Sequence, residues 1–273
     1  MTTMTTITKP AAEEEDTTTV TRLSRWEAKW ENQQTNWHVT EVHPVLEKYL
    51  RRIKESSGTC TPSAAAPVRA LFPLCGKSID MEVLANRGYA VVGVDGCQDA
   101  LTTFVKERGE NCSIINTNNR NHTNEHVSPH QKHQLATVQL PSSATLGYFV
   151  GDFLATTPHD LGGTFDLVFD RGSLVAVAPN DRDAYVNTLL TLITARTGRL
   201  LLVCVEHDPF ANGHLGPPYS IPHDDVRTLF AATCSVEVLE REDRLHVEPV
   251  WKERGCTKFY ETSYLLIKNE TVV

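Results

Sequence analysis

The stretch from Val68 to Asp95, VRALFPLCGKSIDMEVLANRGYAVVGVD, constrains this chain more than any other, because it strings together a buried strand, a one-glycine turn, a helix and a second strand ending in a carboxylate. Val68 to Leu74 is almost wholly apolar, as a parallel strand covered on both faces must be, and Pro73 falls near its end, where a lost ladder donor costs least. Gly76 makes the turn. Helical spacing follows from Lys77, with Ile79, Val83 and Leu84 on one face, and Gly88 stops it. Tyr89 to Val94 reads as the next strand. Asp95 stands 19 residues after Gly76. That is close to the ~20-residue offset at which an acid meets the ribose hydroxyls of a bound nucleoside.

A dinucleotide site needs three glycines so that backbone amides can close on a pyrophosphate, and this turn holds only Gly76. The ligand is therefore expected to carry no phosphate. An adenosyl group bearing an amino acid fits such a turn, and S-adenosylmethionine is the common cofactor of that description. A nicotinamide oxidoreductase is disfavoured by the missing glycines.

At 273 residues and 40% hydrophobic, the chain can bury a full core in one α/β domain. No apolar run approaches ~18 residues and the polar start lacks a secretory signal, so a cytoplasmic protein that meets no membrane is expected. Seven cysteines without paired spacing fit a reducing compartment and argue against a disulfide scaffold or zinc ribbon. A formal charge of -8 with no Lys/Arg stripe disfavours nucleic acid.

Residues 1–22, rich in Thr and with the acidic run Glu13 to Asp16, read as a disordered tail ahead of a single domain over 23–273. The Asn- and His-rich segment 111–134 reads as a mobile loop. Its His122, His126, His130 and His133 have metal-ligand spacing, but Pro129 and the absence of a supporting carboxylate or cysteine pair leave no metal site expected.

Further along, Leu146 to Val150, Phe165 to Phe169 and Arg199 to Val205 read as strands, with helices over Asp181 to Thr194 and Pro222 to Phe230. Val236 to Leu239 and Phe259 to Ile267 form an antiparallel pair at the sheet edge. The sum is a doubly wound, Rossmann-like, mostly parallel seven-stranded sheet of class I methyltransferase type, with ligands outside the carboxyl ends of its strands. Asp170, Arg171 and Gly172 follow one such end, and Gly151 with Asp152 another, where an adenine edge would be held; Asp152 alternatively caps a turn. Asn180 and Asp181 read as plain helix capping. Trp26, Trp30 and Trp37 crowd the start of the fold, the first two on one helix face, either as a lid or as a docked apolar face. Cys75, beside the turn, reads as a small buried residue.

WEAKW with NWH, FPLCGKSIDM with ANRGYAVVGVD, FDLVFDRGSLVAVAPNDRDAY and GPPYSIPHDDVRTLF, in that order from Trp26 to Ile267, strongly resemble the thiopurine S-methyltransferase family. The resemblance implies a monomeric enzyme that moves the methyl of S-adenosylmethionine to the sulfur of an aromatic or heterocyclic thiol and leaves S-adenosylhomocysteine. It implies that Trp26 and Trp30 belong to a cofactor lid, that Leu74 and Gly76 line the cofactor, and that Asp95 replaces a glutamate on the ribose. Gly151 and Asp152 fall on the adenine side, Arg171 faces cofactor and substrate, and Trp37 takes a substrate-contact place where animal enzymes have phenylalanine. The segment from Arg241 to Gly255 aligns poorly, so a second substrate-facing arginine is not assigned there.

In that frame Arg171 is the cation expected to favour a thiolate, since a free alkyl thiol has a pKa near ~8.5. Asp170 is expected to orient Arg171 or take a proton through water. Two alternatives stay open: a small inorganic acceptor such as thiocyanate, halide or a selenium anion, and a homologue that binds the cofactor but has lost transfer.

Overall fold

In the computed structural model, residues 19–57, 67–119 and 134–269 are described. Two helices, α1 (Thr19–Glu31) and α2 (Pro44–Ser57), precede the sheet. Then follow β1 (Arg69–Phe72), α3 (Ile79–Asn86), β2 (Ala90–Asp95), α4 (Gln98–Glu107), β3 (Ser113–Asn119), β4 (Gln134–Gln139) and β5 (Thr145–Val150). The chain continues through β6 (Leu167–Arg171), α5 (Arg182–Leu192), β7 (Arg199–His207), α6 (His223–Phe230), β8 (Cys234–Asp243), the short α7 (Val250–Glu253) and β9 (Phe259–Lys268).

The sheet runs β3-β4-β5-β2-β1-β6-β7-β9-β8. Its five central strands are parallel, as expected, and β9 and β8 close one edge antiparallel. The sheet has nine strands where the sequence reading has seven. The extra pair, β3 and β4, adds antiparallel to β5. It corrects the loop expected over 111–134, because Ser113–Asn119 is a strand and Gln134 begins the next. The spaced histidines lie outside the described residues.

Alternation along the strands feeds two cores. Ala70, Phe72, Leu167, Phe169 and Val203 face one layer with Leu46, Leu84 and Leu101, while Leu71, Val168, Leu200 and Leu202 face the other with Tyr185, Leu189 and Phe230. Each fully buried side chain of this kind contributes roughly 1.5–3 kcal/mol over an exposed one. Ser78 starts α3 as its N-cap, its hydroxyl accepting from the Asp80 amide at 3.2 Å.

Two element boundaries shape the crevice at the strand ends. Helix α1 begins at Thr19, within the segment expected to be tail up to residue 22, and Arg22 pairs with Asp152 after β5 and Asp181 before α5. Strand β6 runs through Asp170 and Arg171 instead of stopping at Phe169, so the strand's alternation governs where those two side chains go.

Candidate active site

The chain leaves β1 for β2 on one side and reaches β6 on the other, so the crevice outside β1, β2 and β6 is where a doubly wound sheet holds a ligand. The turn after β1 is drawn tight there. Leu74 takes a left-handed φ of 41° and Gly76 one of 49°. A non-glycine residue in that region stores strain, as backbone at functional sites often does. The Cys75 amide donates to the Val94 carbonyl at 2.9 Å, and the Tyr148 hydroxyl donates to the Gly76 carbonyl at 2.7 Å.

Asp95 ends β2 inside this turn. Its carboxylate accepts from the Gly76 amide at 2.8 Å and from the Cys97 amide at 2.9 Å. Burial pushes its pKa up to about 6 against those two donors. The Cys97 thiol and the Gly96 amide also lower it, and a carboxylate of this kind is the acceptor that paired hydroxyls of a ribose require. Cys75 is buried beside it, and burial, with the Asp95 charge, holds its thiol well above the usual range. It is no nucleophile.

A cleft opens under α1, bordered by Leu23, Trp26, Leu74, Gly96, Asp152 and Phe153. Gly151 precedes Asp152 at the end of β5, its amide donating to the Asp95 carbonyl at 2.9 Å. Asp152 does two things. One oxygen accepts from the Leu154 amide at 3.2 Å, the turn cap expected as its alternative role, and the other accepts from Arg22 at 2.9 Å. The other end of the Arg22 guanidinium lies 3.4 Å from Asp181. Asp181 is thus no mere cap: its side chain makes no cap bond to α5 and meets Arg22 of α1 instead.

The three tryptophans gather as one cluster. Trp30 is buried at 7% exposure and Trp37, at 38%, stays open to solvent. Trp37 meets both others edge-on, with ring centroids 5.4 Å from Trp26 and 6.1 Å from Trp30. Trp30 is anchored in the core, as a docked apolar face requires, while Trp37 presents an aromatic surface outward. The backbone carbonyl of Trp37 accepts from Arg171 Nη1 at 2.9 Å.

Asp170 and Arg171 part company. Phe169 and Arg171 belong to the layer that α1 and α2 cover, whereas Val168 and Asp170 face the layer of α5. Asp170 is fully buried, accepting from Tyr185 at 2.7 Å and from the Leu174 amide at 3.1 Å. Burial pushes it up to about 6. The expectation that Asp170 orients Arg171 is corrected: successive residues of a strand point to opposite faces, and Asp170 braces the turn after β6 from behind.

Three residues that the sequence reading did not select join the site. Arg22 shares a helix face with Trp26 and Trp30, each four residues on, a spacing visible in the sequence. His38 touches the cofactor turn, its Nε2 accepting from the Lys77 amide at 3.1 Å. Glu261 on β9 lies 3.7 Å from the buried His43, on the layer that holds Arg171. Burial works against its charge, but His43, Arg244 and Arg171 hold its pKa below the usual range.

Set against known proteins, residues 21–269 match the family model described as thiopurine S-methyltransferase. The rat (Rattus norvegicus) thiopurine S-methyltransferase is 33% identical over 249 residues, covering 90% of this chain and 92% of the rat protein. The bovine (Bos taurus) enzyme of that name is 32% identical, with 90% of this chain and 89% of that protein covered. Among solved structures, Burkholderia thailandensis 1,6-didemethyltoxoflavin-N1-methyltransferase, with bound 1,6-didemethyltoxoflavin and S-adenosylhomocysteine, superposes with a TM-score of 0.54 at 14% identity, over 97% of this chain and 94% of that one. An arsenic(III) S-adenosylmethionine methyltransferase from Chlamydomonas reinhardtii gives 0.51 at 16% identity, over 85% and 76%. These two likenesses are of fold.

Proposed function

This chain belongs to the thiopurine S-methyltransferase family, a methyltransferase with S-adenosylmethionine as donor, and on that premise we propose that it methylates the sulfur of an aromatic or heterocyclic thiol. The observation that carries the acceptor reading is the hydrogen bond from Arg171 to the backbone carbonyl of the exposed Trp37: a cation tied to the segment that presents an open aromatic ring. A flat ring stacks on such a face, and a thiolate is stabilised by such a cation.

When bound, S-adenosylmethionine supplies a methyl group on a sulfonium, which an acceptor thiolate takes by in-line displacement. Asp95 would hold the ribose, Gly151 and Asp152 would border the adenine, and Leu74 and Gly76 would line the remainder. Trp26, which borders that cleft, and Trp30, which is buried in the core, would hold α1 over the cofactor as a lid. Arg171 favours the ionised thiol, and Trp37 sets the angle at which a ring enters. Holding reacting atoms ~3–3.5 Å apart and in line accounts for much of the acceleration such a transfer needs. Strong acids and bases are not required, which agrees with Asp170 being turned away.

Calorimetric titration with S-adenosylhomocysteine, with NAD run alongside, tests the cofactor side. A screen of aromatic thiols against thiocyanate, iodide and selenite tests the acceptor. Turnover on thiols is the expected result; turnover confined to the inorganic anions would replace the acceptor reading, and cofactor binding without any turnover would identify a binding protein.

A further inference from the structure

His38 stands between the two halves of this site. Its Nε2 accepts from the Lys77 amide at 3.1 Å, and its Nδ1 donates to the Thr35 carbonyl at 3.1 Å. These two partners admit one neutral tautomer, protonated on Nδ1. Burial, reinforced by the nearby Lys77 and Arg171 charges, pulls its pKa down to about 4 despite Glu107 and the Thr35 bond, so the ring stays neutral at ordinary pH. The fit against the turn is close. A Cβ added at Gly76 would meet Nε2 at 2.2 Å, so the imidazole fills the space that any side chain there would need. Lys77 is tied down from its far end by an ion pair with Glu107 on α4.

The ring also packs against both Trp30 and Trp37, with centroids 5.3 and 5.4 Å away. The preceding peptide carries the Trp37 carbonyl to which Arg171 is bonded. An unbroken path therefore runs from the Lys77 amide through the His38 ring and the Trp37 peptide to the Arg171 guanidinium.

We propose that His38 is a positioning residue that ties the placement of Trp37 and Arg171 on the acceptor side to the geometry of the Gly76–Lys77 turn on the cofactor side. The inference rests on the methyltransferase reading and adds to it a coupling between the two ligands. Coupling is reciprocal: whatever factor the cofactor product adds to thiol affinity, the thiol adds to the affinity of the product.

The test is a binding cycle on the full chain, free of turnover. S-adenosylhomocysteine is titrated by calorimetry alone and then in the presence of saturating thiophenol under reducing conditions. The wild type is expected to bind it at least about 5-fold more tightly with thiophenol present, within the ordinary range for coupled sites. In His38→Gln an amide oxygen reaches the place of Nε2, and coupling should persist. In His38→Asn the side chain ends about one bond shorter, and coupling should fall to about 1-fold, whatever change the separate affinity of each ligand shows. Both variants carry the same amide group, and thermal melting compares their folding. Equal coupling in the Gln and Asn variants, or none in a wild type that binds both ligands, overturns the proposal. A wild type that binds no S-adenosylhomocysteine overturns the parent reading and this proposal with it, and is recognised in the first titration.

Discussion

Arg171 and Trp37, 134 positions apart, are joined by a 2.9 Å hydrogen bond from the guanidinium to the Trp37 carbonyl. One η nitrogen thus ties Arg171 to the Trp37 segment, and the guanidinium fork has further donors with which an anion can be met. Truncation to Arg171→Ala should lower turnover on thiols by about 10²–10³-fold, the usual effect of removing a charge-stabilising donor. The affinity for S-adenosylhomocysteine should change little. Steady-state kinetics beside calorimetry separates the two, and unchanged turnover would remove Arg171 from the mechanism.

Asp95 is expected to make cofactor binding sensitive to acid. Its pKa in the folded protein is about 6, raised by burial, and hydroxyl donors prefer the ionised carboxylate. Affinity for S-adenosylhomocysteine should be flat above pH 7 and weaken by about tenfold per pH unit below 6. Titrations from pH 5 to 8 measure this, and a level profile would take the ribose contact away from Asp95.

For Asp170 the same kind of shift acts on stability. Its folded pKa is raised to about 6 from an ordinary 3.8, so the folded state binds a proton more tightly than the unfolded chain. The associated stability is fully present below about pH 3.8 and is lost as pH rises through 6, a change of about 3 kcal/mol at 1.36 kcal/mol per pKa unit. Asp170→Asn keeps an acceptor for the Leu174 amide and cannot ionise, so relative to wild type it should gain stability between pH 4 and pH 6. Urea unfolding at pH 4.5 and 7 reads the difference; parallel pH dependence in the two proteins would refute it.

Gly76 and Gly172 make a controlled pair. Both have positive φ, 49° and 82°, but an added Cβ is crowded only at Gly76. Each change to alanine should cost about 1–3 kcal/mol through backbone strain. Only Gly76→Ala should also displace His38 and abolish S-adenosylhomocysteine binding. Melting curves and calorimetry on both variants check this, and retained binding in Gly76→Ala would show that the turn tolerates the side chain.

The βαβ unit was legible nearly to the residue, because its apolar strands, its single turn glycine and its terminal acid each have one physical explanation. The strands β3 and β4 were not. β4 does alternate, with Ala136 and Val138 buried, but the Asn- and His-rich sequence beside it masks so short a signal, and β3 is an exposed edge with little apolar face. Asp170 was misplaced by two residues of strand length. Ending β6 at Phe169 made Asp170 and Arg171 neighbours in a loop, whereas their alternation in the strand separates them by the thickness of the sheet. His38 and Arg22 escaped because their value lies in partners distant in sequence: Lys77 for one, Asp152 and Asp181 for the other.

The Arg22 bridge bears on how the chain comes to be folded. Its partners lie 130 and 159 positions downstream, so this ion-pair anchor of α1 forms only once β5, β6 and the start of α5 have been made and assembled. Contacts of such long range form late, after the loop they close has been ordered. The roof of the cleft is then among the last parts to be laid, over a sheet already in place, and a small molecule caught between them would act as a mortar that favours the finished building.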